Sequence, residues 1–388
     1  MKHPRYDVAV VGAGIVGLAH ALAAARLGAS VVVIDRDKRA NGASIRNFGF
    51  ITVTGQSPGT VWRRACRSRE IWSEIAAPAK IPIVQRNECV VVHSREALKV
   101  LEQFMTTEMA GGCELLTAGS LRQRVPMAQP DEMTGALWSS LDLRIEACTA
   151  IPALASYLER SFGVRILRGV NVAAVAAPQL DTADGPIYAD NIVVAPGPDL
   201  TTLFPDVYAR HGVRLCKLHM LRLAPQPRDW VLPAAIMSDF GLIRYAGFNT
   251  LPATEKLRAL LAEQQPELFA YGIHLIVVQS LDGSLIVGDS HEYGTTPNPF
   301  FRSEVEAAIL RLTHAVLGIP NREVIERWVG LYPQSESCEW LVEAPDPKTR
   351  VVLVTSGNGM STSFALAEEL IADLLAPRPS LPLHSSPH

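Results

Sequence analysis

Residues 6–35 read YDVAVVGAGIVGLAHALAAARLGASVVVID, and the fold turns on how this stretch is interpreted. Tyr6 to Val11 is a run of branched and small apolar side chains that fits a buried parallel strand. Ile15 to Leu27 is rich in Ala and Leu at helical spacing, and Gly28 stands just past it, where a helix favours glycine. Ser30 to Ile34 is the next strand, closed by Asp35. Between the first strand and the helix, Gly12, Gly14 and Gly17 form G-x-G-x-x-G. The first glycine permits the tight turn, the second lets the backbone approach a pyrophosphate, and the third lets helix and strand pack closely. Amide groups and the helix dipole then face the phosphates. A carboxylate at Asp35 accepts from ribose hydroxyls and repels a 2′-phosphate, which disfavours NADP. The strand, turn, helix, strand and acid together predict a dinucleotide site.

The same stretch has the look of a signal peptide or a membrane span, because Val8 to Ala25 is nearly uncharged and follows Lys2 and Arg5. The glycines at fixed offsets, the strand that follows at once, and Asp35 explain more of its residues. Cysteine usage points the same way. Six cysteines, at 66, 89, 113, 148, 216 and 338, form no CxxC pair and show no zinc spacing. They read as reduced thiols of a cytoplasmic protein. The 388 residues suffice for two domains, and 48% hydrophobic with 19% charged is a globular composition. The net charge of −3 offers no basic field for nucleic acid.

Outward from this opening, the chain continues as a polar loop (42–56) and a helix (61–76) with Trp62 and Trp72 on one apolar face. A strand at 89–93 and a helix at 95–109 follow, then an irregular stretch at 124–143. A helix at 149–160, with Pro152 near its first turn, leads to two short strands in 164–175 and a further strand at 188–196. Beyond it, 213–223, 242–248, 273–280 and 284–289 read as antiparallel strands with a turn at Asp282-Gly283. A helix at 303–316 has Ser303 as expected N-cap and Glu306 three residues on. Strands at 324–329 and 351–355 and a helix at 364–375 complete the chain before a flexible Pro/Ser-rich tail, 377–388. The expected fold class is α/β: a Rossmann-like nucleotide domain assembled from 1–80, 145–212 and 325–376. An antiparallel-sheet substrate domain is inserted as 81–144 and 213–324.

A second glycine cluster, Ser356-Gly357-Asn358-Gly359-Met360-Ser361, lies between a strand and a helix. Its amides suit the electron-rich edge of a reduced isoalloxazine, and an NAD-dependent dehydrogenase has no need of them. With this cluster the chain resembles, over nearly its full length, the FAD-dependent amine oxidoreductases of the D-amino acid oxidase, glycine oxidase and sarcosine oxidase type. The matching stretches are VVGAGIVGL, VVVIDRD, GASIRNFG (42–49), ADNIVVAPG (189–197), a turn at Gly330-Leu-Tyr-Pro333, and SGNGMS. The resemblance and the glycine motif together imply contacts to noncovalent FAD from Gly12, Gly14, Ile15, Val16, Gly17, Asp35 and Arg36. Ser44, Arg46, Asn47 and Gly49 follow in the next loop, then Val172, Ala195, Gly197 and Gly330. Gly357, Asn358, Gly359, Met360 and Ser361 approach the ring. IRNFGFITVTGQ (45–56), CKLHMLRL (216–223) and GDSHEYG (288–294) resemble a narrower branch associated with aminophosphonate breakdown. That likeness implies a 2-aminoethylphosphonate-type amine, N-methylated or not, oxidised to phosphonoacetaldehyde. Sarcosine oxidase-like members hold a substrate carboxylate with a lysine after the C-terminal glycines, whereas this chain has Ser361, Thr362 and Ser363 there.

Such chemistry needs a pocket that orients a C–H bond, favours the neutral amine by desolvation and binds an anionic end. Arginine is the fork best matched to phosphonate oxygens. Arg244 and Tyr245 on an expected strand, His219, and His291 near a strand end are the candidates, with Gln56, Tyr332 and Lys217 beside the expected flavin contacts. No metal site is expected. The acceptor is oxygen or another electron carrier. A D-amino acid or glycine/sarcosine-type oxidase or dehydrogenase is the alternative within enzymes, and a non-catalytic flavin-binding partner protein is the alternative outside them.

Overall fold

The computed structural model describes residues 5–129 and 133–376. The expected tail, 377–388, lies outside them. The first sheet contains β1 (Arg5–Val11), β2 (Val31–Asp35), β7 (Arg165–Arg168), β8 (Val172–Ala176), β9 (Gln179–Thr182), β10 (Ile187–Val194), β17 (Trp340–Asp346) and β18 (Thr349–Val354). The second contains β3 (Phe50–Ile51), β4 (Ile83–Val92), β5 (Cys113–Thr117), β6 (Gly135–Ile145), β11 (Arg214–Leu223) and β12 (Ala235–Met237). It is completed by β13 (Ile276–Gln279), β14 (Leu285–Gly288), β15 (Glu292–Gly294) and β16 (Val324–Gln334).

The central ribbon of the first sheet runs β17-β18-β10-β1-β2-β7, parallel except for β17. β1 leads through the helix Ile15–Arg26 to β2 on one side and has β10 on the other. Its C-terminal end is therefore a switch point, where α/β sheets open a crevice for ligands. The buried Val, Ala and Ile side chains of β1, β2 and β10 pack on both faces, which is why these strands read as continuous apolar runs. On one face the helices Ile15–Arg26, Thr60–Ala76 and Gly359–Leu375 pack together. Trp72 is wedged among them, its ring edge-to-face with Phe364 at 4.9 Å and its Nε1–H donating to the Met360 carbonyl at 2.8 Å. Trp72 thus ties the helix Thr60–Ala76 to the second glycine cluster. Trp62 turns to the other domain's core instead, so the expected shared apolar face splits between two cores.

Several elements depart from expectation. The stretch 124–143 is not irregular: β6 pairs with β3, β4 and β5. β5, β9 and β17 arise where no strand was expected. Residues 242–248 form no strand but a turn followed by a short helix, Ala246–Asn249, because Gly247 must lie against the Gly55 and Gln56 backbone. Gly330 to Pro333 is not a turn; it lies within β16, which runs along the length of β11. Pro152 sits inside the helix Ala147–Phe162 rather than near its start. Ser303 is the first helical residue of Ser303–Val316, with Arg302 at the N-cap and no side-chain cap bond. The helix begun at Arg95 ends at Phe104, and the last helix starts at Gly359. Because β3 and all of β16 belong to the second sheet, the expected segment boundaries at 80 and 325 do not coincide with the sheet division.

Candidate active site

Gly12 closes β1 with φ of +103°, and a Cβ there would fall 2.2 Å from the Ala195 carbonyl. A Cβ on Gly17 would fall 1.9 Å from the Gly12 carbonyl. Both positions admit glycine alone, and the turn is correspondingly tight. The Asp35 carboxylate receives the Ala13 amide at 2.6 Å and the Asp37 amide at 2.8 Å, fixing an acid beside the turn. Ser44 Oγ accepts the Ile15 amide at 2.9 Å. Around these groups lies a cleft walled by Gly12, Gly14, Asp35, Arg36, Val172 and Ala195. Arg36 also pairs with Asp199 across this wall.

A second lobe opens from the first, and Ala43, Ser44, Arg46, Gly197 and Leu331 line both. Ile15, Val16 and Asn47 line the second lobe, with Gly330 and the turn from Gly357 to Ser361. The two ends of the chain are joined here. Asn358 Nδ2 donates to Gln56 Oε1 at 2.9 Å, and the Thr52 amide donates to Ser361 Oγ at 2.9 Å. Gly17 and Gly49 do not line either lobe. Gly49, at φ +68°, packs against Ile145, where a Cβ would fall 1.9 Å from its carbonyl oxygen. Both glycines shape the site without facing it.

The far wall of the second lobe carries the polar groups. Arg244, Tyr245, Tyr332, Gln56 and His291 all line it. Arg244 donates through its two terminal nitrogens to Tyr293 Oη and Tyr332 Oη, each at 3.0 Å. Among the described residues no carboxylate lies within ion-pair distance of it. His274 and Asp289, which the sequence did not single out, also face the lobe. Asp289 Oδ1 lies 3.6 Å from His274 Nδ1 and 3.8 Å from His291 Nδ1. Burial holds the His291 imidazole down at about 3 with Arg244 assisting, and burial likewise lowers His274. Both rings are neutral. Burial alone would raise Asp289, but the positive charge around it, Arg244 included, brings its carboxyl below the usual value, so it is ionised. Tyr293 stands out in the sequence beside His291, at the strand end in GDSHEYG, whereas His274 carried no motif signal.

His219 and Lys217 do not reach the cavity. Strand residues alternate between faces, and β11 sends Leu218 to the lobe and its two neighbours to the opposite side. Lys217, fully buried, donates to the Phe300 carbonyl at 2.7 Å and lies 3.5 Å from Glu292. His219 Nε2 accepts the Arg302 amide at 3.1 Å, which places its hydrogen on Nδ1 toward Ser290 Oγ at 2.8 Å. Burial lowers its pKa to about 4. Both residues anchor the segment that leads into the helix Ser303–Val316.

Beneath the loop, Glu88 and Asp142 share a fully buried polar nest. Asp142 accepts the Val53 amide at 2.7 Å and the Thr54 hydroxyl at 2.8 Å. Thr52 donates to Glu88 at 3.2 Å. Burial first, and the Asp142 charge second, push Glu88 well above the ordinary carboxyl value, so it holds its proton.

The site accommodates the parts of FAD. The glycine cradle and Asp35 suit a diphosphate and ribose, and the adjoining lobe leaves room for the ring beneath the Gly357–Ser361 turn. Among the described residues no helix is long and apolar enough to cross a membrane. Comparison with known proteins agrees with the geometry. A curated relative, the glycine oxidase of Geobacillus kaustophilus (strain HTA426), is 25% identical over 393 residues, covering 97% of this chain and 94% of the relative. The crystal structure of glycine oxidase from Geobacillus kaustophilus superposes with a TM-score of 0.75 at 21% identity, over 96% of this chain and 95% of that one. L-Proline dehydrogenase from P. horikoshii gives 0.73 at 19%, over 98% and 96%. Iminodiacetate oxidase from Chelativorans sp. BNC1 gives 0.72 at 17%, over 97% of each chain. The family profile described as FAD dependent oxidoreductase (DAO) matches residues 7–374, and the chain accordingly belongs to that family of FAD-dependent enzymes.

Proposed function

We propose that this enzyme oxidises the C–N bond of a small amine that also carries an anionic group, a 2-aminoethylphosphonate-type compound, N-methylated forms included. The carrying observation is Arg244: a guanidinium on the cavity wall, bonded to two phenol oxygens and to no carboxylate within ion-pair distance among the described residues. A half-buried guanidinium on a cavity wall, with no carboxylate in direct ion-pair contact, is a ready partner for an anionic ligand. Two further facts support a phosphonate. The three strings that resemble the aminophosphonate-associated branch all supply residues at or beside this lobe: Gln56, Leu218, and Asp289 with His291. The Tyr332 hydroxyl, which lines the lobe beside the guanidinium, adds hydrogen-bonding capacity for a third oxygen.

When bound, FAD supplies the hydride acceptor. The protein's part is orientation and desolvation. Arg244 and Tyr332 hold the anion, and the apolar wall of Leu218, Ile276 and Phe50 excludes water from the reacting C–H bond. Gln56, fixed by Asn358, sets the floor. The imine formed takes up water and parts into phosphonoacetaldehyde and the amine. A glycine- or D-amino-acid-type substrate is the second reading, favoured by the glycine oxidase relative, since the same guanidinium accepts a carboxylate.

Anaerobic bleaching of the purified holoenzyme separates the two. Expected is faster flavin reduction by 2-aminoethylphosphonate or its N-methyl derivative than by glycine, sarcosine or D-alanine. Reduction by carboxylates alone overturns the phosphonate reading. A protein that shows no visible flavin absorbance after reconstitution overturns both.

A further inference from the structure

Arg244 has a neighbour of opposite sign that it does not neutralise. Asp289 lines the same lobe, is only 5% exposed, and is held rigidly by paired backbone bonds with His274 at 2.8 and 2.9 Å. Its Oδ1 has no hydrogen-bond donor. The two imidazoles nearest to it stand off at 3.6 and 3.8 Å, and the Nδ1 of His291 is already spent on the Gly272 carbonyl at 2.9 Å. Buried carboxylates ordinarily collect two or three donors, and one left short in a ligand cavity calls for a partner. The cation beside it is committed to Tyr293 and Tyr332. The lobe thus presents one guanidinium and one donor-poor carboxylate as separate poles.

We infer that Asp289 binds the substrate's ammonium group, so that with Arg244 it makes the cavity a receptor for zwitterions and determines specificity for amines over amine-free anions. The inference rests on the anionic-amine reading above and adds the second pole. It accounts for neutral imidazoles around the acid: a protonated His274 or His291 would supply the missing donor and cancel the charge the ammonium needs. It sorts substrates by class. Amine-free hydroxy acids and N-acylated amines lack the cation and are rejected, whereas primary and secondary ammonium groups fit. That ammonium proton passes to solvent water before the C–H bond is broken, so Asp289 acts at the binding step. Its loss raises KM and leaves kcat within a few-fold.

The test uses ligand pairs that differ only by ammonium against methyl and carry no C–H on the amine carbon, so that they bind without reacting. These are (2-amino-2-methylpropyl)phosphonate against (2,2-dimethylpropyl)phosphonate, and 2-aminoisobutyrate against pivalate. Dissociation constants come from perturbation of the flavin spectrum of FAD-loaded enzyme. In the wild type the amine member binds about tenfold tighter or more, the worth of a hydrogen bond to a charged group. In Asp289→Asn that preference collapses while affinity for the methyl member is kept or improves. Asp289→Glu, which retains the charge, recovers part of the preference and covers the case of an unstable Asn variant. An FAD-loaded Asp289→Asn that keeps the tenfold preference, or a wild type without one, overturns the inference. If only the carboxylate pair perturbs the flavin, the phosphonate reading fails, and Asp289 is judged on that pair alone.

Discussion

Arg244 bonds two phenols that themselves belong to different strands, Tyr293 on β15 and Tyr332 on β16. Replacing it by Met removes the anion's partner but leaves the flavin contacts at the other end of the lobe. The expected outcome is a KM raised by about two to three orders of magnitude, ~3–4 kcal/mol for removing one partner of a charge pair, with the flavin absorbance of the purified protein unchanged. Glu88 gives a second residue-scale expectation. Below its ordinary value of 4.5 the carboxyl is protonated folded or unfolded. As pH rises past that value the unfolded form ionises while the buried carboxyl keeps its proton, so stability falls with rising pH. Glu88→Gln preserves the shape without the proton. Urea denaturation at pH 5 and pH 8 is expected to show a smaller loss of stability across that interval than in the wild type. The sequence made the chemistry of Arg244 legible because it is the one charged side chain in the otherwise apolar stretch 242–248. It left Asp289 and His274 unmarked, because a buried carboxylate and imidazole in a strand-end turn look like any polar turn residues until the chain is folded.

At the level of elements, the first strand–turn–helix was legible because each of its glycines answers a separate steric demand. Gly17→Ala pushes a methyl group into the Gly12 carbonyl at 1.9 Å, and backbone must move. The expected result is a cost of about 2 kcal/mol or more and a lowered ratio of flavin to protein absorbance after purification. Gly49→Ala meets the same obstacle at Ile145, with the added strain of φ +68°, and is expected to lose comparable stability with weaker effect on the substrate pole. β6 escaped the sequence reading for a clear reason. Ser139, Asp142 and Arg144 are buried polar residues, paired to Thr54, to the Val53 amide, and to Glu146. Hydrophobic alternation cannot reveal a strand whose inward positions are polar. The opposite error occurred at 242–248, where Leu242, Tyr245 and Phe248 imitate strand apolarity while Gly247 and a helical turn carry the backbone past Gly55.

For the whole molecule, histidine burial predicts an acid limb opposite in sign to that of Glu88. His20 and His219 are lowered to about 4 and His291 to about 3, each first by burial. Above 6.5 both folded and unfolded forms are neutral. As pH falls below 6.5 the unfolded chain takes up protons that the folded one refuses, so stability declines toward pH 4. Thermal melts at pH 5 and 7 are expected to show the lower Tm at pH 5, and added FAD to raise Tm at both by mass action. The discontinuous architecture was legible because α/β segments recur at the start, middle and end of the sequence. The sheet to which β3 and β16 belong was not, since pairing partners far apart leave no local trace.

The bond from Asn358 to Gln56, with β10 and β18 supplying one flank of the sheet around β1, has a consequence for biosynthesis. The nucleotide fingerprint at Gly12 to Gly17 emerges from the ribosome well before its partner turn at Gly357 to Ser361. A nascent chain can therefore display the fingerprint long before it can close a cofactor pocket, and capture of the nucleotide waits until the distant second turn has been made.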